Sequence, residues 1–289
     1  MEMFEDDQKL IEILSRQNGI IFLLGQTDTG KTTFARNLAQ ALLEKNKTVA
    51  FLDSDVGQST IGPPTTIGLK ILTDPQDLSN NLSNNQSCHL YFVGSTSPRG
   101  HFLPMVIGTY KLSRMFFKKV ETTIIDTTGL VHGIYGRTLK FYKISLVLPH
   151  HLVLLEKENE LYPYKEMFKH STKIKVYVLK THGDIKEKSY EDRVKYRNQK
   201  FYQYFKDAKE QTLYLENLSF FPPFEEFRRR VQKFNVIGLE DPSQNLLGIG
   251  VFLDFENEKR IKILSPVRDI GQISLLKLGF ARVENFLFP

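Results

Sequence analysis

One cysteine, Cys88, stands in the whole chain, so no disulfide can form within it and no cysteine-based metal site is available. No run of residues approaches the roughly 20 apolar positions needed to cross a bilayer. The first ten residues, MEMFEDDQKL, are acidic and lack the basic start and apolar stretch of a secretory signal. No period of about 20 to 50 residues repeats. A soluble, cytoplasmic protein with no membrane association is therefore expected. What is present suits one large domain, or one domain with an appendage: 289 residues, 41% of them hydrophobic, enough for an ordinary core. The net charge of +6 favours a polyanionic partner. The positive charge is uneven, with Lys and Arg crowded between Lys165 and Lys209 and again at Arg228-Arg229-Arg230.

Hydrophobic spacing orders the chain. Phe4, Leu10, Ile11 and Leu14 predict a leading helix over 1–18. IIFLL at 20–24 reads as a buried parallel strand, 31–45 as a helix and TVAFLD at 48–53 as a second strand. The polar run 78–87 reads as an exposed loop. Further strands are expected at 89–94, 122–126, 151–156 and 174–179, with helices at 102–118, 137–148 and 188–207. After about residue 230 the pattern turns to alternating, β-branched segments joined by Asp-Pro-Ser-Gln-Asn, which predicts hairpins. The expected fold is α/β, a P-loop NTPase with a mostly parallel, doubly wound sheet and a small C-terminal β appendage. The kinase-sized unit is placed at 1–230, with a lid at about 185–210, and the appendage at 231–289.

Gly25-Gln26-Thr27-Asp28-Thr29-Gly30-Lys31-Thr32 fits GxxxxGK[ST], follows an apolar strand and opens a helix, the context that motif requires. Backbone amides of such a loop turn inward on phosphates, and the helix N-terminus adds partial positive charge. Lys31 is expected to reach the β- and γ-phosphates of ATP. Thr32 should offer its hydroxyl to Mg²⁺, with Thr33 beside the phosphates. Strand two ends in Asp53-Ser54-Asp55-Val56-Gly57-Gln58, which places Asp53 and Asp55 on one face of an extended chain. At the carboxyl end of a parallel sheet, one carboxylate can hold the metal through water and the other can take a proton from an attacking hydroxyl. A turn or helix-cap role for the pair is the alternative.

DSDVGQ placed one strand after a P-loop resembles the Clp1/Grc3/Nol9 family of polynucleotide 5′-hydroxyl kinases. The resemblance implies that Asp55 is the general base, that Gln58 meets the terminal nucleotide and that Asp53 serves the metal with Thr32. The turn Asp126-Thr127-Thr128-Gly129-Leu130-Val131-His132-Gly133 resembles the family's clasp, which grips the substrate strand. Leu130 stands where eukaryotic members place Trp. Arg193 and Arg197, followed by Phe201-Tyr202-Gln203-Tyr204-Phe205, resemble the family's lid. Their spacing of four shares one helical face, from which both guanidiniums can clamp phosphates. The resemblance covers about 20–215, and the N-terminal β domain of eukaryotic relatives is expected to be missing.

Weaker signals surround this core. Ser97 and Arg99 in the loop after a strand can hold a nucleic-acid phosphate or form a plain turn. His132 touches substrate or faces solvent. His150-His151 has no partners at zinc spacing. Residues 201–205 read as lid packing rather than base stacking. Asp126-Thr-Thr-Gly129 also matches a GTPase switch, with Lys180-Thr-His-Gly-Asp184 an imperfect echo of a guanine motif, and a non-catalytic ATP-binding adaptor is a further alternative. The favoured expectation is transfer of the γ-phosphoryl of ATP to the 5′-OH end of RNA and/or DNA.

Overall fold

The strand Gly19–Gly25 (β2) lies at the centre of the structure, and its alternating side chains create the two layers around it. Ile20, Phe22 and Leu24 point to one face of the sheet, and Ile21 and Leu23 to the other. The computed structural model describes residues 1–79, 88–181 and 189–283. In chain order it has β1 (Glu2–Phe4), α1 (Asp7–Ser15), β2, α2 (Lys31–Leu43), β3 (Val49–Ser54) and β4 (Thr66–Leu72). A four-residue α3 (Gln76–Ser79), β5 (Cys88–Phe92), α4 (Phe102–Met115), β6 (Thr122–Thr127) and α5 (Gly133–Val147) follow. Next come β7 (His151–Glu156), α6 (Tyr162–Phe168), β8 (Lys175–Lys180) and α7 (Tyr190–Phe205).

The first sheet runs β1-β8-β7-β2-β6-β3-β4-β5. It is parallel from β1 to β3, while β4 pairs antiparallel with both β3 and β5. Helices α1 and α2 cover one face through Leu10, Leu14, Phe34, Leu38 and Leu42. The other face takes α4, α5 and α6 through Met105, Leu112, Leu139, Ile144 and Tyr164. This is the doubly wound α/β arrangement read from the sequence. The structure differs at the N-terminus, where the expected single helix divides. Asp6 caps α1 by accepting from the Gln8 amide at 2.9 Å, and the residues before it form the edge strand β1, paired with β8. Strand β4 and helix α6 were not foreseen. The polar run expected as a loop lies, from residue 80 on, outside the described residues.

A second sheet, β10-β14-β11-β12-β13-β9, gathers β9 (Lys209–Tyr214), β10 (Ser219–Phe221), β11 (Asn235–Glu240), β12 (Leu246–Asn257), β13 (Arg260–Ser265) and β14 (Leu275–Arg282). It is antiparallel except where β10 joins β14, and the Asp-Pro-Ser-Gln-Asn turn links β11 to β12 as a hairpin. Two of its strands precede residue 231, because the chain leaving α7 enters this sheet directly at β9. One face packs on α8 (Phe224–Arg230) through Phe227. The other face, with Val236, Ile249 and Val251, meets Phe92 of β5 and Phe201 and Phe205 of α7 in one apolar cluster. The Phe280 and Ala281 amides both donate to the Gly94 carbonyl, at 2.7 and 3.0 Å, which ties the two sheets together. Among the described residues no helix is long and apolar enough to cross a membrane.

The C-terminal half of α7 is therefore anchored by buried aromatics. Phe201→Ala should cost about 3 kcal/mol, the lower range for a buried Phe. A thermal denaturation midpoint equal to wild type would show that this anchor carries no weight.

Candidate active site

The P-loop connects β2 to α2. Gly30, at φ 81°, turns the chain into the helix. The Lys31 ammonium is buried and donates to the Gln26 carbonyl and, at 3.4 Å, to the Thr29 hydroxyl, which itself donates to Gln26 at 2.9 Å. Burial lowers the Lys31 pKa, against the pull of Asp126, Asp55 and Asp28. A cleft of about 400 Å³ opens over this loop. Thr27, Asp28, Gly30, Lys31, Thr32 and Thr33 line its floor, while Gly25, Gln26 and Thr29 lie outside its lining.

Strand order decides which carboxylate meets Thr32. Strand β6 inserts between β2 and β3, so Asp126, not Asp53, comes beside the P-loop helix. Asp126 Oδ2 accepts from the Thr32 hydroxyl at 2.6 Å, and its Oδ1 accepts from the Thr127 amide at 2.9 Å. Asp53 sits in register with Asp126 on the neighbouring strand. Its carboxylate is buried and turned to its own loop, accepting from the Asp55 amide at 2.8 Å and from the Thr60 amide and hydroxyl. Burial, then the charges of Asp126 and Asp55, push its pKa up to about 7. Asp55 Oδ1 accepts from the Gly57 and Gln58 amides, each at 3.0 Å, which fixes the carboxylate at the cleft wall.

Helix α7 closes over this loop. The Gln58 amide nitrogen donates to the Arg193 carbonyl at 3.2 Å, and the Tyr196 hydroxyl donates to the Ser59 carbonyl at 3.1 Å. The Arg193 guanidinium pairs with Asp28 of the P-loop at 2.8 Å. Burial, ahead of Asp53, lifts the Tyr196 pKa to about 12, so the phenol stays a donor. Arg193 lines the cleft and Arg197 does not. Phe201 and Phe205 are packed rather than presented to a ligand, and the Tyr204 hydroxyl accepts from the Ile249 amide at 2.9 Å.

The 126–133 turn has a mixed character. Gly129 lies so close to the P-loop that a Cβ there would come within 2.3 Å of the Thr27 amide nitrogen. Thr127 and Gly129 line the cleft. Thr128 is buried and Leu130 packs against the core, so neither projects as a wedge. His132 is exposed at the start of α5, and Ser97 and Arg99 are exposed on a neighbouring loop outside this cleft. The echo of a guanine motif lies, from His182 on, outside the described residues.

Several groups escaped sequence reasoning. Asp126 was legible only as part of a turn, because the motif does not reveal which strand neighbours β2. Arg36, Thr60 and Tyr196 also line the cleft. Two lysines of α5, Lys140 and Lys143, are wholly buried beneath it. Lys140 donates to the Thr127 hydroxyl and the Thr128 carbonyl, each at 2.6 Å, and Lys143 donates to the Ser54 hydroxyl between the two aspartates. Burial drops the Lys140 pKa well below its ordinary value and brings Lys143 to about 7, despite the attraction of Asp55 and Asp53. Helical spacing made these two positions look like an ordinary amphipathic face.

Lys143 titrates near pH 7 when folded and at 10.5 otherwise, so within that window the unfolded chain binds the extra proton and stability rises with pH. The raised Asp53 pKa acts in the opposite sense, below about 7, and does not overlap this window. Lys143→Met should remove up to about 1.4 kcal/mol per pH unit of that rise. Denaturant midpoints between pH 7 and 10 that climb equally in wild type and variant would contradict the assignment.

Comparison with known proteins places the chain in context. The family model described as "mRNA cleavage and polyadenylation factor CLP1 P-loop" matches residues 25–207. The polyribonucleotide 5′-hydroxyl-kinase of Methanocaldococcus jannaschii is 32% identical, over 99% of this chain and 90% of the relative. The enzyme of that name from Pyrococcus furiosus is 39% identical over 68% of this chain and 54% of its own length. The solved structure of a wild-type Clp1p–Pcf11p complex shares the fold at a TM-score of 0.72, covering 95% of this chain and 77% of that one, with 14% identity. The P-loop, the loop at Asp55 and the helix that closes over it all fall within the matched residues, and the chain belongs to the Clp1 P-loop family.

Proposed function

We propose that this chain is an ATP-dependent polynucleotide 5′-hydroxyl kinase, which moves the γ-phosphoryl of ATP to the 5′-OH end of RNA. RNA is the polymer in the relatives' names. The observation that carries the reading is the placement of Asp55 in the wall of the P-loop cleft, which Lys31 and Arg193 also line. A fixed carboxylate there can take the proton of an attacking hydroxyl. The same reading has the unit up to about 230 as the kinase, with the remainder as its β-rich appendage, in a cytoplasmic protein.

In this scheme the P-loop amides and Lys31 hold the β- and γ-phosphates. Asp55, fixed by two amides, aligns the 5′-hydroxyl and accepts its proton. Arg193 leaves Asp28 for the transferring phosphoryl group, adding positive charge where the transition state gathers negative charge. Arg197 follows it only if the helix turns. Gln58, Gly129 and Thr127 border the acceptor's path.

Thr32 and Asp126 fit Mg²⁺, since both present hard oxygens and are already in contact. Burial, then the charges of Asp126 and Asp55, raises the pKa of Asp53, and a cation beside these carboxylates would relieve that crowding. When bound, Mg²⁺ neutralises phosphate charge. Among the described residues no group of three or more His, Cys, Asp or Glu forms a metal cage, in keeping with an ion held largely by phosphate and water. Asp53 reaches such an ion only through water, as its oxygens already serve the loop.

The test is transfer of label from γ-labelled ATP to 5′-OH RNA and DNA oligonucleotides. Wild type should label RNA, and Asp55→Ala should lose roughly 10²- to 10⁴-fold in rate while still binding ATP. Full activity in that variant removes Asp55 as the base. Lys31→Ala should also lose transfer, and an undiminished rate would count against the P-loop assignment. Nucleotide binding without transfer in wild type would favour an adaptor.

A further inference from the structure

A second groove shares no lining residue with the cleft. It has a volume of about 600 Å³ and is lined by Arg99, Gly100, Phe102, Leu103 and Tyr135. Leu103 is 71% exposed and Tyr135 63% exposed, so both present apolar surface to solvent at the groove. The Phe102 and Tyr135 rings meet at 6.1 Å and 57°, which leaves a broad Tyr135 surface in solvent. The Arg99 guanidinium makes no ion pair among the described residues.

Two loops join this groove to the cleft. Gly57, next to the acceptor-facing Asp55 and Gln58, sits close enough to the 94–101 loop that a Cβ would come within 2.7 Å of the Thr96 carbonyl. On the other side the chain passes from Gly129, in the cleft wall, to Tyr135 in the first turn of α5. On the kinase reading, these two loops bound the side of the cleft by which a strand with its 5′ end at Asp55 would pass toward the groove.

We propose that the groove holds the second nucleotide of the acceptor strand, its base stacked on Tyr135 against Phe102 and Leu103 and its 5′-side phosphate on Arg99. The inference rests on the kinase reading above. Its chemistry suits a polynucleotide: every base has a π-face, so a tyrosine platform binds without choosing sequence. An unpaired arginine suits the phosphate that links the first two nucleotides. The N-termini of α4 and α5 flank the groove without side-chain caps and add to its positive potential. The site therefore favours a polymer over a free nucleoside.

The experiment compares KM for a 5′-OH nucleoside 3′-monophosphate with KM for 5′-OH di- and tetranucleotides in wild type, Tyr135→Ala, Tyr135→Phe and Arg99→Ala. Wild type should prefer the longer acceptors, and Tyr135→Ala should shrink that preference about tenfold, the loss of one base–aromatic contact. Tyr135→Phe should restore it, since the ring remains. Arg99→Ala should weaken the longer acceptors and reduce their salt dependence. An undiminished length preference in Tyr135→Ala overturns the proposal. If wild type transfers no phosphoryl at all, the kinase reading fails separately. The groove is then judged by fluorescence anisotropy of a 5′-OH tetranucleotide, where equal affinity of wild type and Tyr135→Ala overturns it.

Discussion

Three aspartates and three lysines crowd the ground beneath one cleft, and the arrangement of that end of the molecule depends on the hydrogen bonds they make to its loops. Asp53 and Asp126 face each other across adjacent strands, with Asp55 just beyond, while Lys31, Lys140 and Lys143 approach from two helices. Burying any one of these charges alone costs several kcal/mol. Packed together, each has polar partners. Lys140 holds the 127–128 turn, Lys143 holds Ser54 and Asp53 holds the 55–60 loop. Through these hydrogen bonds the buried side chains act as struts for the loops that border the cleft. The ion pairs elsewhere on the surface contribute far less.

Why the loops can be held so firmly follows from the sheet. Every strand from β1 to β3 delivers its carboxyl end to one edge, so the loops after β2, β3 and β6 are obliged to meet. Strand β5, reversed twice from β3, again opens toward that edge, which brings the 94–101 loop alongside. The second sheet contributes no residue to the cleft lining described here, yet it supports β5 and α7 through the cluster around Phe92.

Much of this was legible in the sequence because local and global signals agree there. The P-loop carries its own context, an apolar strand before and a helix after. The strand at 151–156 and the helix over 190–205 follow directly from hydrophobic spacing. The misses have identifiable physical causes. Strand β4 contains Gly68, and its register is set by antiparallel partners far along the chain, so period alone does not declare it. Asp126 was misjudged because strand order is a property of the whole sheet. Lys140 and Lys143 look like solvent-facing cations until the fold buries them. The clasp position Leu130 stands where eukaryotic members place Trp, and its side chain packs against the core, which the sequence did not show.

Helix α7 is fixed at one end and merely hydrogen-bonded at the other. From Phe201 back to Arg193 is eight residues, about 12 Å of helix at 1.5 Å each. In mechanical terms this is a short cantilever: stiff at its apolar root, compliant at its polar tip. A small tilt at the root moves Arg193, whose carbonyl holds Gln58, and Tyr196 together, because one helix carries both. A displacement of this helix is therefore felt at once by the loop at Gln58 and Ser59 and by Asp28 of the P-loop.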